Sequence, residues 1–388
     1  MRNSVLSHLY RKTTSNAFIP EVDGFRFFAI ATVLFYHLNT HLSRVIDPLV
    51  NEAYYRSTLL YGMMREGGIG VNVFFAISGF ILALPFARAR LSSMPAPSLR
   101  PYYLRRLTRL EPPYVVSLLA FLIAQVLFLH LPLKDLLPHF GASLLYVHTL
   151  VYDQWSSINP VAWSLEVEVQ FYLLAPLLAS VFSIRNVYLR RGAILLVMLA
   201  GIVHYNYNYE WINALHLRKS LVMHLHQFLV GFLMAEIYLV DWEGKKPLTS
   251  YAWDVLGILS TISLLVFNDV YNIFDDLIFC FSLLLTFVSV FRGTLLNKFY
   301  SNPLVVVIGG MCYSLYLLHY GAYAFLVDRT VVFFNSGWGY AANFWIQALL
   351  LIPVVLLVCS IFFVLVERPC MDKDWPRKLK AKVISIFA

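Results

Sequence analysis

GFRFFAIATVLFYHLNTHL, from Gly24 to Leu42, is 19 residues long and mostly apolar, yet it holds Arg26 and His37 within it. A helix of about 20 such residues crosses the hydrocarbon core of a bilayer, and an ionisable group inside one is costly enough to need a reason. The rest of the chain repeats the apolar pattern. Of 388 residues, 59% are hydrophobic and only 13% charged, against roughly a quarter charged in a soluble domain, which excludes a water-soluble enzyme. Apolar runs predict spans at 24–42, 68–87, 113–131, 161–183, 192–208, 221–240, 251–268, 275–291, 303–327 and 342–366. The expected fold is therefore an all-α polytopic transmembrane bundle of about 10 spans.

Basic residues orient it. With the N-terminus cytoplasmic, twenty-two Lys and Arg fall on the inner loops and tails and seven on the outer loops, and Arg26 completes the thirty. That asymmetry accounts for the formal charge of +8 without nucleic acid, since the cations lie between apolar runs. All eight Trp fall at predicted span ends or flanks, as an interfacial belt should. The segment 132–153 carries Pro138, His139, Gly141 and His148, and a full span there would invert everything downstream. A re-entrant or interfacial helix on the outer side is expected instead. Cys280, Cys312, Cys359 and Cys370 form no CxxC pair, so neither a disulfide framework nor a metal site is indicated. Met1 to Pro20 lacks the apolar core of a cleavable signal, and the first span reads as an uncleaved anchor.

Three groups of polar residues exceed what membrane packing demands. Arg26 and His37 are 11 residues apart, about three turns, and share one helical stripe with His37 in the outer half. A snorkelling Arg and an interhelical His would also fit that spacing. Arg106 and Arg109, with Arg105 beside them, open the third span three residues apart, a geometry suited to phosphate oxygens, although positive flanks are commonly Arg-rich. Glu166 and Glu168 lie near the outer end of the fourth span. Glu168 matches His37 in depth, so it is expected to orient the imidazole as a general base, with a structural salt bridge as the alternative. Ser78, His224, His226, Glu236, Tyr316 and His319 add to a polar cavity, and Gly79 permits close helix approach.

In order along the chain, these residues resemble acyltransferase family 3, the integral membrane O-acyltransferases. The resemblance rests on Asp23-Gly24-Phe25-Arg26 with His37, Gly70-Val71 through Ser78-Gly79-Phe80, and Arg106-x-x-Arg109-Leu110-Glu111-Pro112-Pro113-Tyr114. It continues in Trp163-Ser164-Leu165, Glu168, Phe171-Tyr172 and Tyr313 to His319. Val169 departs from it, standing where a second consecutive Glu is common, as do Phe25 and Phe27 in the opening motif. The resemblance implies cytoplasmic acyl-coenzyme A, most simply acetyl-coenzyme A, as donor, with its phosphates on Arg106 and Arg109 and Arg105 adjacent. It also implies a catalytic group of His37, Glu168, Arg26 and Asp23, and a hydroxyl acceptor on a sugar, glycolipid or polysaccharide at the outer face of a bacterial inner membrane. The organisation is then a cytoplasmic tail (1–23), a transmembrane acyltransferase domain (24–366) and a basic cytoplasmic tail (367–388), the form without a fused esterase-like domain. A transporter or flippase using the same intramembrane Arg, His and Glu is the rival reading, although no internal repeat or pair of interrupted helices favours it.

Overall fold

The computed structural model describes residues 6–12, 18–46, 53–91, 94–95, 97–209, 211–242, 247–267, 272–372 and 374–378. Of the orienting cations, Arg2, Lys245, Lys246, Lys373, Lys380 and Lys382 lie outside the described residues. The described chain is helical with no strand. Its principal helices are α1 (Pro20–Ile46), α2 (Ile69–Leu91), α3 (Leu99–Phe128), α4 (Leu133–Leu144), α5 (Trp163–Leu178), α6 (Val187–Tyr209), α7 (Leu221–Ile237), α8 (Tyr251–Val266), α9 (Ile273–Arg292), α10 (Pro303–Gly310), α11 (Cys312–Thr330) and α12 (Tyr340–Phe362).

Seven described helices are long and apolar enough to cross a membrane, and an eighth span forms if α10 and α11, bent by 68°, count as one. The expected ten are not all reproduced, for two physical reasons. Helix α1 has 27 residues, but Arg26, His37, Asn39 and His41 dilute its apolar character. Helix α8 is apolar but has only 16 residues, about 24 Å of helix against a core of about 30 Å. Helix α4, with 12 residues, is likewise too short to cross, in keeping with an interfacial or re-entrant reading of 132–153.

Two close crossings hold the centre of the bundle. Helix α2 lies on α7 where Gly79 meets Gly231: a Cβ on Gly79 would sit 2.0 Å from the Phe228 carbonyl oxygen, and one on Gly231 1.9 Å from that of Ala76. Only residues without a side chain allow that approach, the small-residue packing that replaces hydrophobic drive inside lipid. Helix α1 packs as closely on α10, where a Cβ on Gly309 would fall 1.7 Å from the Asp23 carbonyl oxygen. These contacts place α1, α2 and α11 side by side and so set the positions of the polar groups they carry.

Candidate active site

At one end of the bundle, the first turns of α3 project Arg105, Arg106 and Arg109. Tyr102 and Tyr103 tie this end to α5, their hydroxyls donating to the carbonyls of Tyr172 (3.2 Å) and Leu173 (3.1 Å). Arg11, Lys12, Arg88, Arg105, Arg106 and Arg109 line an open vestibule whose described lining includes no carboxylate. Arg106, Arg109 and Ile81 also line a second, deeper cavity, so the two spaces meet at these residues. The guanidinium of Arg106 lies over the rings of Tyr102 and Tyr172, at 5.7 and 5.8 Å. Neither Arg106 nor Arg109 has an ion pair or hydrogen bond among the described residues, which leaves both guanidiniums available to an anion.

The deeper cavity is lined by Arg26, Ser78, Glu168, Tyr172, Cys312, Tyr313, Tyr316 and Glu367, among others. It reaches the break between α10 and α11, where Gly310, Cys312 and Tyr313 face it. Irregular backbone at membrane depth is tolerated where it lines such a space. The open amino end of α11 is satisfied by Glu367, which accepts from the Ser314 amide (2.9 Å) and hydroxyl (2.5 Å). Sequence reasoning missed Glu367. Its signal was its place as the one acidic residue closing the last apolar run.

Arg26 faces the cavity and is held by Asp23 at 2.5 Å. Asp23, expected in the catalytic group, is fully buried, pairs also with Arg11 at 2.6 Å, and lines neither space. Its place is that of an anchor that fixes Arg26 and ties the N-terminal segment to α1.

The expected pairing of Glu168 with His37 is corrected. Glu168 accepts a hydrogen bond from the Ser78 hydroxyl, whereas His37 Nδ1 meets His319 Nε2 at 2.8 Å. Equal depth on two helices says nothing about the direction in which each side chain points, and α11, not α5, presents its polar face to His37. The contacts of His319 settle the tautomers. Its Nδ1 faces the carbonyls of Leu315 (2.8 Å) and Tyr316 (3.0 Å), which only accept, so Nδ1 carries the proton. Neutral His319 then accepts at Nε2, His37 donates from Nδ1, and the lone pair of His37 lies on Nε2. The ring of Tyr320 stands edge-on to His37 at 5.2 Å.

His37 does not line the deeper cavity. Tyr316 joins the two regions: it lines the cavity, and its ring lies 5.9 Å from that of His319. Its hydroxyl donates to the Val161 carbonyl (2.8 Å) and accepts from Ser164 at 2.6 Å. Phe74, whose ring lies 6.2 Å away, lines the cavity with it.

A basic mouth, a polar cavity and an imidazole with a fixed tautomer thus lie in one helical bundle. Acyltransferase family 3, described as an acyltransferase domain, matches residues 19–364. The chain belongs to this family. It is 24% identical over 339 residues to the O-acetyltransferase OatA of Staphylococcus aureus (strain NCTC 8325 / PS 47), a match covering 81% of this chain and 52% of that protein. It is 29% identical over 183 residues to the Bacillus subtilis (strain 168) protein named "Putative peptidoglycan O-acetyltransferase YrhL", covering 44% and 25%. The chain spans about half the length of the curated S. aureus relatives it matches, at 52%. No solved structure matches it. Family and apolar helices together mark it as a multi-pass membrane protein.

Proposed function

We propose that the chain moves an acyl group, in the simplest case acetyl, from cytoplasmic acyl-coenzyme A to a hydroxyl of a saccharide-containing acceptor at the opposite membrane face. The observation that carries this reading is the pair of guanidiniums, Arg106 and Arg109, that have no ion pair or hydrogen bond among the described residues and stand at the junction of a basic vestibule and a membrane cavity. A nucleotide bearing several phosphates suits that mouth, with Arg105 contributing at the rim. A long, flexible thioester arm suits the space beyond it, which runs past Arg26 and Glu168 toward Tyr316.

The chemistry follows from the imidazole pair. The acceptor O–H gives its proton to His37 Nε2 as its oxygen attacks the thioester carbonyl. The C–S bond then breaks, and the thiolate recovers the proton from His37, so the reaction balances with no further reagent. His319 is a positioning residue that holds the tautomer. His37 does not line the cavity, so the thioester reaches it past Tyr316, whose ring lies 5.9 Å from that of His319. The name of the B. subtilis relative, a putative peptidoglycan O-acetyltransferase, supports a saccharide acceptor, and the basic vestibule supports the coenzyme.

The test is equilibrium binding of labelled acetyl-coenzyme A to the purified protein in nanodiscs. Arg106→Ala with Arg109→Ala should weaken binding by about 10- to 100-fold, the worth of one or more charge-assisted hydrogen bonds. Unchanged affinity would place the donor elsewhere.

A further inference from the structure

Beside His37 and its partner, the same end of the bundle carries a cation held between indole rings. Lys219 immediately precedes Ser220 and the amino end of α7, and its ammonium lies 4.2 Å from the Trp163 ring centroid and 5.6 Å from that of Trp155. No carboxylate pairs with it among the described residues. The nearby acid, Asp153, is turned to the His216 amide (2.9 Å) and ring (3.0 Å), and Glu166 accepts from Thr149. Ser220 makes no side-chain cap, and the first amide of α7, that of Leu221, donates instead to Gln170 Oε1 at 2.9 Å. Trp155 is 46% exposed, with its ring centroid 6.1 Å from that of Trp163.

This patch adjoins the deeper cavity. Trp163 is followed by Ser164 and Leu165, which line the deeper cavity, and its ring stands 6.3 Å from that of Phe75, which also lines it. The loop between Trp155 and Trp163 is fastened to the helix that carries His319: Asn159 donates to the Leu317 carbonyl at 3.1 Å, and Tyr316 donates to Val161. A ligand on Trp155 therefore lies on the loop that abuts the imidazole pair.

An interfacial tryptophan belt explains exposed indoles but not a lysine lodged between two of them without an acid. The negative face of an indole attracts the C–H edge of a pyranose, and an unpaired ammonium attracts an anion. We propose that Trp155, Trp163 and Lys219 form the acceptor subsite and select a saccharide bearing an anionic substituent, its ring on Trp155 and its anionic group at Lys219. This inference rests on the reading of the chain as a transferase with a saccharide acceptor, and its test separates the two.

The probe is a tritiated tetrasaccharide containing uronic acid, compared with its carboxyl-reduced neutral counterpart, in equilibrium binding to the full chain in nanodiscs. Wild type should bind the acidic form about tenfold more tightly, the worth of one charge-assisted hydrogen bond. Lys219→Gln should abolish the difference, Lys219→Arg should keep it, and Trp155→Ala should weaken both ligands. Equal affinities in wild type, no binding of either, or a preference that survives Lys219→Gln would overturn the subsite. Acetyl-coenzyme A turnover on the same samples reports the reaction separately: turnover without acidic preference sinks the subsite alone, and preference without turnover sinks the transferase reading and leaves the subsite standing.

Discussion

The vestibule and the His37 region treat their polar groups in opposite ways. At the Arg106 end, six cations line an open space without a carboxylate among its described lining, and two of them have no partner there. At the other end, the groups nearest His37 are committed: His319 to two carbonyls and to His37, Tyr316 to Val161 and Ser164; His41 Nε2 and the Tyr323 hydroxyl, buried further along, have no hydrogen-bond partner among the described residues. Unspent charge suits capture of a multiply charged donor that arrives from water. Spent hydrogen bonds suit a group that must keep one tautomer and one direction through each turnover. The two designs meet at Tyr316, which belongs to the cavity and touches His319.

Breaking the committed end should have the largest effect. His37→Ala should lower acyl transfer by about 10²- to 10⁴-fold, the range for losing a general base, while acetyl-coenzyme A affinity stays within about threefold of wild type. Radiolabel transfer and binding on the same nanodiscs check both halves. His319→Ala should cost less in kcat, about tenfold or more, because the ring of His37 persists but its tautomer is released. A shifted pH–rate profile for this variant separates loss of tautomer control from mere loosening of α11, which would leave the profile in place.

The scaffold that brings the two ends together can be strained directly. Gly231→Ala puts a methyl against the Ala76 carbonyl, a backbone atom that cannot swing aside, and should cost about 1–3 kcal/mol in thermal or denaturant unfolding. Unchanged stability would mean that α2 and α7 pack differently from the arrangement described.

The smallest effect concerns the loop behind Trp155. The backbone and ring of His216 hold the Asp153 carboxyl below its ordinary range. A carboxylate lowered in the folded state contributes stability above its unfolded value of about 3.9 and loses it as pH falls through the folded value. Asp153→Asn keeps a residue tolerant of the left-handed φ of 53° at this position and should flatten the acid limb of the unfolding curve below about pH 4. A curve that superposes on wild type there would remove the His216 contact from the account.

Much of this was legible in the sequence, and what was not has a common cause. Composition and apolar runs gave the all-helical class, and the three-residue spacing of Arg106 and Arg109 put both on one face, where the structure finds them sharing two spaces. Depth along a helix was readable, azimuth was not. Glu168 and His37 match in depth, but the partner of His37 is His319, which sequence reasoning counted only as a polar residue in a span. Ser78 reads as a polar-cavity residue and lines the cavity, but its hydrogen bond to Glu168 was not readable. The span count suffered because α1 spends its apolar character on the groups that matter, and because α10 and α11 are bent at the cavity.

The central claim is that donor and acceptor meet from opposite faces, the donor through Arg106 and Arg109 and the acceptor at His37. The most direct test uses proteoliposomes of known orientation, with labelled acetyl-coenzyme A on one face only and a membrane-impermeant saccharide acceptor on the other. The account predicts product when the donor is on the Arg106 face and the acceptor on the His37 face, and none with the sides exchanged. Product formed only when both substrates share a face would contradict it.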